Sequence, residues 1–368
     1  MKRILLSCLI ISAVFTMFNC SVMRPKWKSV AITKTETEVA DLLGIDYDLL
    51  KQLKSKPLYK FSPRDLDVYL GYLQSTEPDL RKRIQHLAQK CLNQPYDIFL
   101  LGEFPFEIYD SQPLFSLQKS DCVVFSEHIY AMALAYDWKS FFALLQRIRY
   151  KNGEIGLASR NHYTEFDWDV NNKWLVQDVT EELAGDQTVW ETTIVDRANF
   201  LSKWGIGQLI PSETVTWSYI PYELLPKIID KLQPGDFVNI VRGYEGNKWV
   251  GHVGLITVSE NGTVNFLHST SPKVKEEPLL GLYQDARRNN EEKKIYNETV
   301  RQKNLAIMAD NEKLKSKGKK SSKLKPLIPT RPYFYGFKFL RLQDDPIWEL
   351  MKSDGPSAPK VKTGPWFD

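Results

Sequence analysis

The 368-residue chain is 43% hydrophobic and 26% charged, which excludes a wholly disordered chain, a collagen and a long coiled coil. A chain of this size buries enough surface to need no disulfide framework. Its formal net charge is +4, but 13 Lys/Arg against 6 Asp/Glu fall between Asp285 and Lys325, so one segment carries +7 and the remainder −3. A near-neutral body without a basic-aromatic surface pattern excludes nucleic acid as the expected partner.

Lys2 and Arg3 precede an apolar run from Ile4 to Phe18, the pattern of an export signal over residues 1–20. The run is too short and too terminal for a spanning helix, and no later stretch reaches about 18 apolar residues. It ends in Met17-Phe18-Asn19-Cys20. A Cys just after the apolar run is similar to a bacterial lipoprotein site, with Asn19 where a small residue is usual. Acylation of Cys20 with more than one chain would hold the protein at a bacterial membrane; plain secretion is the alternative.

Residues 21–33 read as a tether. From Lys34 to Leu92, leucines recur at helical spacing (Leu42, Leu43, Leu49, Leu50, Leu53), and Ser62-Pro63-Arg64-Asp65 is a helix start with Pro at its first position. Phe99 to Gln118 reads as a loop. Ser120-Asp121 opens an apolar helix, Cys122 to Asp137, with Asp121 as its cap. A second helix runs from Phe141 to Tyr150. After Pro234-Gly235 the pattern becomes strands: Phe237–Val241, Val250–Val258, Thr263–His268 and Phe337–Leu342. The Asn261-Gly262 turn makes the middle two an antiparallel pair. Helices followed by antiparallel strands predict an α+β fold, with 285–325 an insertion before the last strand and 343–368 a C-terminal tail. Trp174 and Trp190 read as core.

Chemistry is confined to few residues. Cys8 leaves with the signal, so Cys91 and Cys122 remain; they are either a disulfide or a buried thiol and a reactive one. Among five histidines, His86 sits among charges on a solvated helix face and His128 inside the apolar helix as a structural group. His252 lies in Gly251-His252-Val253-Gly254, where glycines allow close approach, and His268 ends the next strand. A Cys at a helix N-terminus has its thiolate favoured by the dipole. Beside a strand His it can form a thiolate–imidazolium couple, with a second polar residue orienting the ring. Cys122, His252 and His268 are thus a self-consistent nucleophile, base and orienter; taken singly they fit equally a core thiol and two edge histidines. No CxxC, HxxxH or HExxH motif points to zinc, and no phosphate-binding glycine loop occurs. Neither metal nor cofactor is expected.

In order along the chain, Asn93-Gln94-Pro95-Tyr96, Asp121-Cys122-Val123-Val124-Phe125, and Pro234-Gly235-Asp236-Phe237-Val238 followed by His252-Val253-Gly254 resemble the blocks of the NlpC-type, papain-like cysteine peptidases of bacterial cell walls. The sequence more closely resembles their N-acetylmuramoyl-L-alanine amidase-like branch. Ile148-Arg149-Tyr150, Ser159-Arg160-Asn161-His162-Tyr163, Asp167-Trp168, Asp178-Val179-Thr180 and His268-Ser269-Thr270-Ser271 carry that likeness, which spans roughly residues 85–342. Val123-Val124 departs from the Ser/Thr-Gly of many superfamily members.

The resemblance implies a papain-like catalytic domain over 93–342 after a helical region over 34–92. It implies Cys122 as nucleophile, His252 as general base and acid, His268 as orienter, and Tyr96 near the nucleophile, helping with the Cys122 N–H to hold an oxyanion. Arg160, His162, Tyr163 and Trp168 look like substrate-pocket residues, with Arg160 suited to a carboxylate; the plainer reading is an aromatic-anchored loop. Asp236 ties a turn. The implied activity is cleavage of an amide in peptidoglycan or a muropeptide, at the muramoyl–L-alanine link or within the stem peptide. Rival readings are a silent envelope lipoprotein that binds wall fragments and a papain-like lipid acyltransferase.

Overall fold

Side-chain caps start the helices of the N-terminal half. In the computed structural model, which describes residues 30–317 and 324–354, Thr33 caps α1 (Lys34–Leu43), Asp46 caps α2 (Tyr47–Ser55) and Ser62 caps α3 (Pro63–Thr76). Asp79, Asp121 and Asp137 cap α4 (Leu80–Lys90), α5 (Cys122–Leu134) and α6 (Trp138–Arg149). Each cap oxygen accepts an N–H that the first turn leaves unpaired. Four short helices follow: α7 (Asp169–Asn171), α8 (Thr180–Ala184), α9 (Arg197–Leu201) and α10 (Leu225–Ile228). The export signal at 1–20 with Cys20, most of the tether read at 21–33, and the tail beyond 354 lie outside the described residues.

The fold is α+β with an antiparallel sheet. Its strands are β1 (Val176–Asp178), β2 (Val189–Val195), β3 (Glu213–Pro221), β4 (Phe237–Tyr244), β5 (Asn247–Val258), β6 (Val264–Thr270), β7 (Lys273–Pro278) and β8 (Tyr333–Leu342). They run in the order β2-β3-β8-β4-β5-β6-β7, with β1 also on β8. This corrects the sequence reading twice. Three strands precede Pro234, and the charged run Lys273-Val274-Lys275-Glu276-Glu277-Pro278 is an edge strand, where charge is protective. The last strand is also central, between β3 and β4.

The central strands are buried on both faces, which is why they lack a clean alternation. Phe237, Val253, Leu255 and Leu267 face a core shared with α1–α6. Val238, Ile240, Ile256 and Phe266 face a second core with Leu225, Ile228 and Leu279. Trp174 is core, but Trp190 is 53% exposed on β2. The expectation for Trp190 fails because its strand lies at the other edge of the sheet.

The basic insertion is the 38-residue helix α11 (Leu279–Ser316) with a returning segment. Asn290, Asn297, Asn304 and Asn311 recur every seven residues. Each amide nitrogen donates to, and each amide oxygen accepts from, one backbone residue: Phe334, Arg331, Ile328 and Lys325 respectively. Those residues recur every three, and Pro326, Pro329 and Pro332 recur at the same interval. Seven residues of α-helix rise about 10.5 Å, and three of polyproline II about 9.3 Å. The two repeats therefore stay in step. A short last helix, α12 (Pro346–Asp354), follows β8.

Candidate active site

The loop before α5 is pinned by buried hydroxyls. Ser120 Oγ donates to Gln94 Oε1 at 2.9 Å and lies 3.0 Å from Ser269 Oγ, which itself donates to the Ser120 carbonyl at 2.8 Å. Ser269 follows His268 and Ser120 stands two residues before Cys122, so one polar knot locks β6 to the start of α5. Tyr130 of α5 donates to the Gly235 carbonyl at 2.7 Å. Asp236 is fully buried, accepts the Gln233 N–H at 2.9 Å and faces Arg81 and Arg341, so it ties that turn.

Cys122 is half-buried at the first position of α5. Its thiol takes a hydrogen bond from the backbone of Val253, the residue after His252. Across the β5–β6 ladder, His252 Nε2 lies 2.5 Å from His268 Nδ1, with the rings near perpendicular. Gly254 makes room: a Cβ there would stand 2.8 Å from the His268 Cβ and 2.6 Å from the Phe266 ring. His268 Nε2 in turn lies 3.0 Å from Glu277 Oε1 on β7, whose other oxygen pairs with Lys275 at 2.9 Å.

Burial decides the charge state. It pushes the Cys122 thiol up to about 12, with Asp121 adding to the rise, against which the backbone N–H groups act weakly. Burial also pushes His252 and His268 down to about 3, helped by the positive charges of Arg242 and Lys275. Burial thus opposes the thiolate–imidazolium couple that the helix dipole favours. Desolvation outweighs the dipole here. Tyr96 is held beside Ser120 by a β-bridge, and burial and then the nearness of Cys122 raise its hydroxyl.

The 159–168 block divides. Arg160 is held in ion pairs with Glu103 and Asp110, each at 2.9 Å, so its expected carboxylate is supplied by the protein itself. Trp168 is 1% exposed, stacks on Phe237 at 4.3 Å and donates to Glu127 at 3.2 Å; it has no surface left for a ligand. Arg160, His162 and Tyr163 line one open cleft of about 370 Å³ with Phe200 and Arg197, in which Arg197, like Arg160, is already paired, with Asp167 and Glu213. Cys122, His252, His268 and Tyr96 do not line that cleft.

Two residues escaped the sequence reading. Arg242 on β4 lies over Gly251, its charge reaches Cys122 and both histidines, and no ion pair to it occurs among the described residues. Glu277 sits on the charged strand β7, which the sequence pattern does not mark. Cys91 is a free thiol in the core, separate from free Cys122. His128 is buried, with Nδ1 on the Val124 carbonyl at 2.7 Å and Nε2 facing the Ser116 N–H. Among the described residues no group of three or more His, Cys, Asp and Glu is placed to hold a metal ion.

Fold and site together define an α+β protein with a free thiol at the first position of a capped helix and a histidine pair on an antiparallel sheet. Residues 86–287, more than half of the chain, match the N-acetylmuramoyl-L-alanine amidase-like (AmiA-like) family, and the chain belongs to it. The family supports a peptidoglycan amidase-like hydrolase, and the match encloses Tyr96, Cys122, His252, His268 and Glu277. The chain is similar to a solved Legionella pneumophila protein at 18% identity and TM-score 0.59, over 76% of this chain and 94% of that one. An N-acetylmuramoyl-L-alanine amidase from Bacteroides uniformis is similar at 21% identity and TM-score 0.49, over 72% and 99%. A putative xylanase from Bacteroides fragilis is similar at 19% and 0.47, over 69% and 98%. The first of these shares the fold. No curated protein matches the chain.

Proposed function

We propose that the protein is a cysteine-dependent amidohydrolase of peptidoglycan with a papain-like, NlpC-type site. The observation that carries this reading is the His252–His268 contact at 2.5 Å beside a thiol that is bonded to the Val253 backbone. His252 Nε2 is taken by His268, so Nδ1 is the nitrogen left for the Cys122 proton. Cys122 sulfur attacks the amide carbonyl as its proton passes to His252. The tetrahedral oxyanion is held by the Cys122 N–H with the Tyr96 hydroxyl. His252 then protonates the leaving amine, the C–N bond breaks and a thioester remains. Water, deprotonated by His252, attacks the thioester and releases the carboxylic acid and the thiol.

Arg242 takes the role that Arg160 has already spent on Glu103 and Asp110. A guanidinium with no ion pair among the described residues, its charge felt at the thiol, suits a substrate carboxylate near the scissile amide. The bond is either the muramoyl–L-alanine link or a D-glutamyl–diamino acid link in the stem peptide. Digestion of defined muropeptides with product masses separates the two. Full activity in Cys122→Ala would sink the reading, and binding without turnover would favour a silent wall-binding lipoprotein. The N-terminal pattern adds an export signal, a lipid anchor at Cys20 and an envelope location. Cys20→Ser is expected to release the protein from the membrane fraction and to abolish labelling by a fatty-acid probe.

A further inference from the structure

The contact chain does not stop at the two histidines. His268 pairs directly with Lys275 across the β6–β7 ladder, and Glu277 is the diagonal neighbour, opposite Phe266. A diagonal position lies within reach of a long side chain. The two carboxylate oxygens are divided: Oε1 is 3.0 Å from His268 Nε2 and Oε2 is 2.9 Å from Lys275 Nζ. Pro278 ends the strand immediately after, and the fully buried Leu279 opens α11. Glu277 is therefore anchored at a defined place on the ladder.

We propose that Glu277 is a positioning residue that sets the proton polarity of the histidine pair. An ionised carboxylate only accepts hydrogen bonds. His268 Nε2 must therefore carry its hydrogen toward Glu277. In a neutral ring this leaves Nδ1 as a lone pair, and His252 Nε2, at 2.5 Å, must donate to it. His252 Nδ1 is then a lone pair, free to accept the Cys122 proton. Without the carboxylate the opposite polarity is equally satisfied: His268 Nδ1–H donates to His252 Nε2, and His252 Nδ1 carries a hydrogen. In that state the base cannot accept. Lys275 holds the carboxylate turned toward the ladder. The consequence for turnover rests on the cysteine-hydrolase reading; the tautomer assignment does not.

The test is ¹⁵N NMR of the histidine rings of the full chain at neutral pH, beside turnover of muropeptides and alkylation of Cys122. In the wild type, both His252 and His268 are expected as neutral Nε2–H tautomers. Glu277→Ala is expected to mix the tautomers of both rings and to lower kcat about tenfold, below the 10²–10⁴ of a general base because it acts through one, with KM unchanged. Glu277→Gln, whose amide oxygen still accepts, is expected to restore the wild-type tautomers and most of kcat. A wild-type His252 found as Nδ1–H overturns the proposal. So does a folded Glu277→Ala protein, judged by its unfolding midpoint, with unchanged tautomers and rate. Tautomers that follow Glu277 in a chain that cleaves no muropeptide uphold the relay and overturn the hydrolase reading.

Discussion

The β5–β7 ladder and the α11 arm meet at Pro278, yet they are held in different ways. The ladder pairs backbone with backbone, and its side chains fill two cores, so a slip of one residue would turn each side chain to the wrong face. The arm has few buried side chains of its own: Leu279, Ala286, Asn297 and Val300. Its returning segment is held by four asparagine amides that read the backbone before each proline and at Phe334. The ladder therefore fixes atoms at the candidate site, whereas the arm beyond its first turns is held to its own returning segment by the asparagine clamps. The two should break independently, and mutations sort them.

The largest effect is expected from Cys122→Ala and His252→Ala, each lowering turnover about 10³-fold or more with the unfolding midpoint retained. Product mass spectrometry on muropeptides reads the first quantity and a urea titration the second. Next comes Gly254→Ala, which pushes a methyl group to 2.8 Å from the His268 Cβ and the Leu267 carbonyl. A loss of about 1–3 kcal/mol is expected, together with turnover, because the same strand pair carries both histidines.

Acid is expected to act on the body of the protein. His128 is buried and pushed down to about 3, and His252 and His268 follow the same direction. The unfolded chain takes up these protons near pH 6.5 while the folded one does not. Stability therefore falls as pH drops from about 6.5 toward 3, by up to about 1.4 kcal/mol per pH unit for each such group. His128→Gln should flatten that slope, measured as urea midpoints at pH 7 and pH 5. The smallest effect is expected from Asn297→Ala with Asn304→Ala. Each clamp contributes about 1 kcal/mol, so amides of 325–331 should exchange faster while turnover is unchanged. A drop in turnover would show that the arm and the ladder are coupled after all.

Much of the local structure was legible. Asp121 before Cys122 and Ser62 before Pro63 are caps whose chemistry works within one helical turn, and they start α5 and α3. Asn261-Gly262 joins β5 and β6 as an antiparallel pair. The ion pairs of Arg160 were not legible because its partners, Glu103 and Asp110, are 57 and 50 residues away. β7 and Glu277 were missed because a charged edge strand has no hydrophobic pattern. The seven- and three-residue periods of the arm were visible in Asn290–Asn311 and Pro326–Pro332, but a period shows its meaning only when the partner segment is known.

The sequence by itself determined the helix starts, the hairpin turn, the α+β class and the short set of residues able to do chemistry. Those follow from forces that act over a few residues: capping, turn geometry and side-chain type. The tertiary structure alone decided that β8 is central, that Arg160 is paired while Arg242 has no ion pair among the described residues, and that Glu277 stands behind His268. It also decided that burial pushes the thiol up and the imidazoles down. Desolvation and strand pairing depend on which distant segments meet, and no local pattern encodes that.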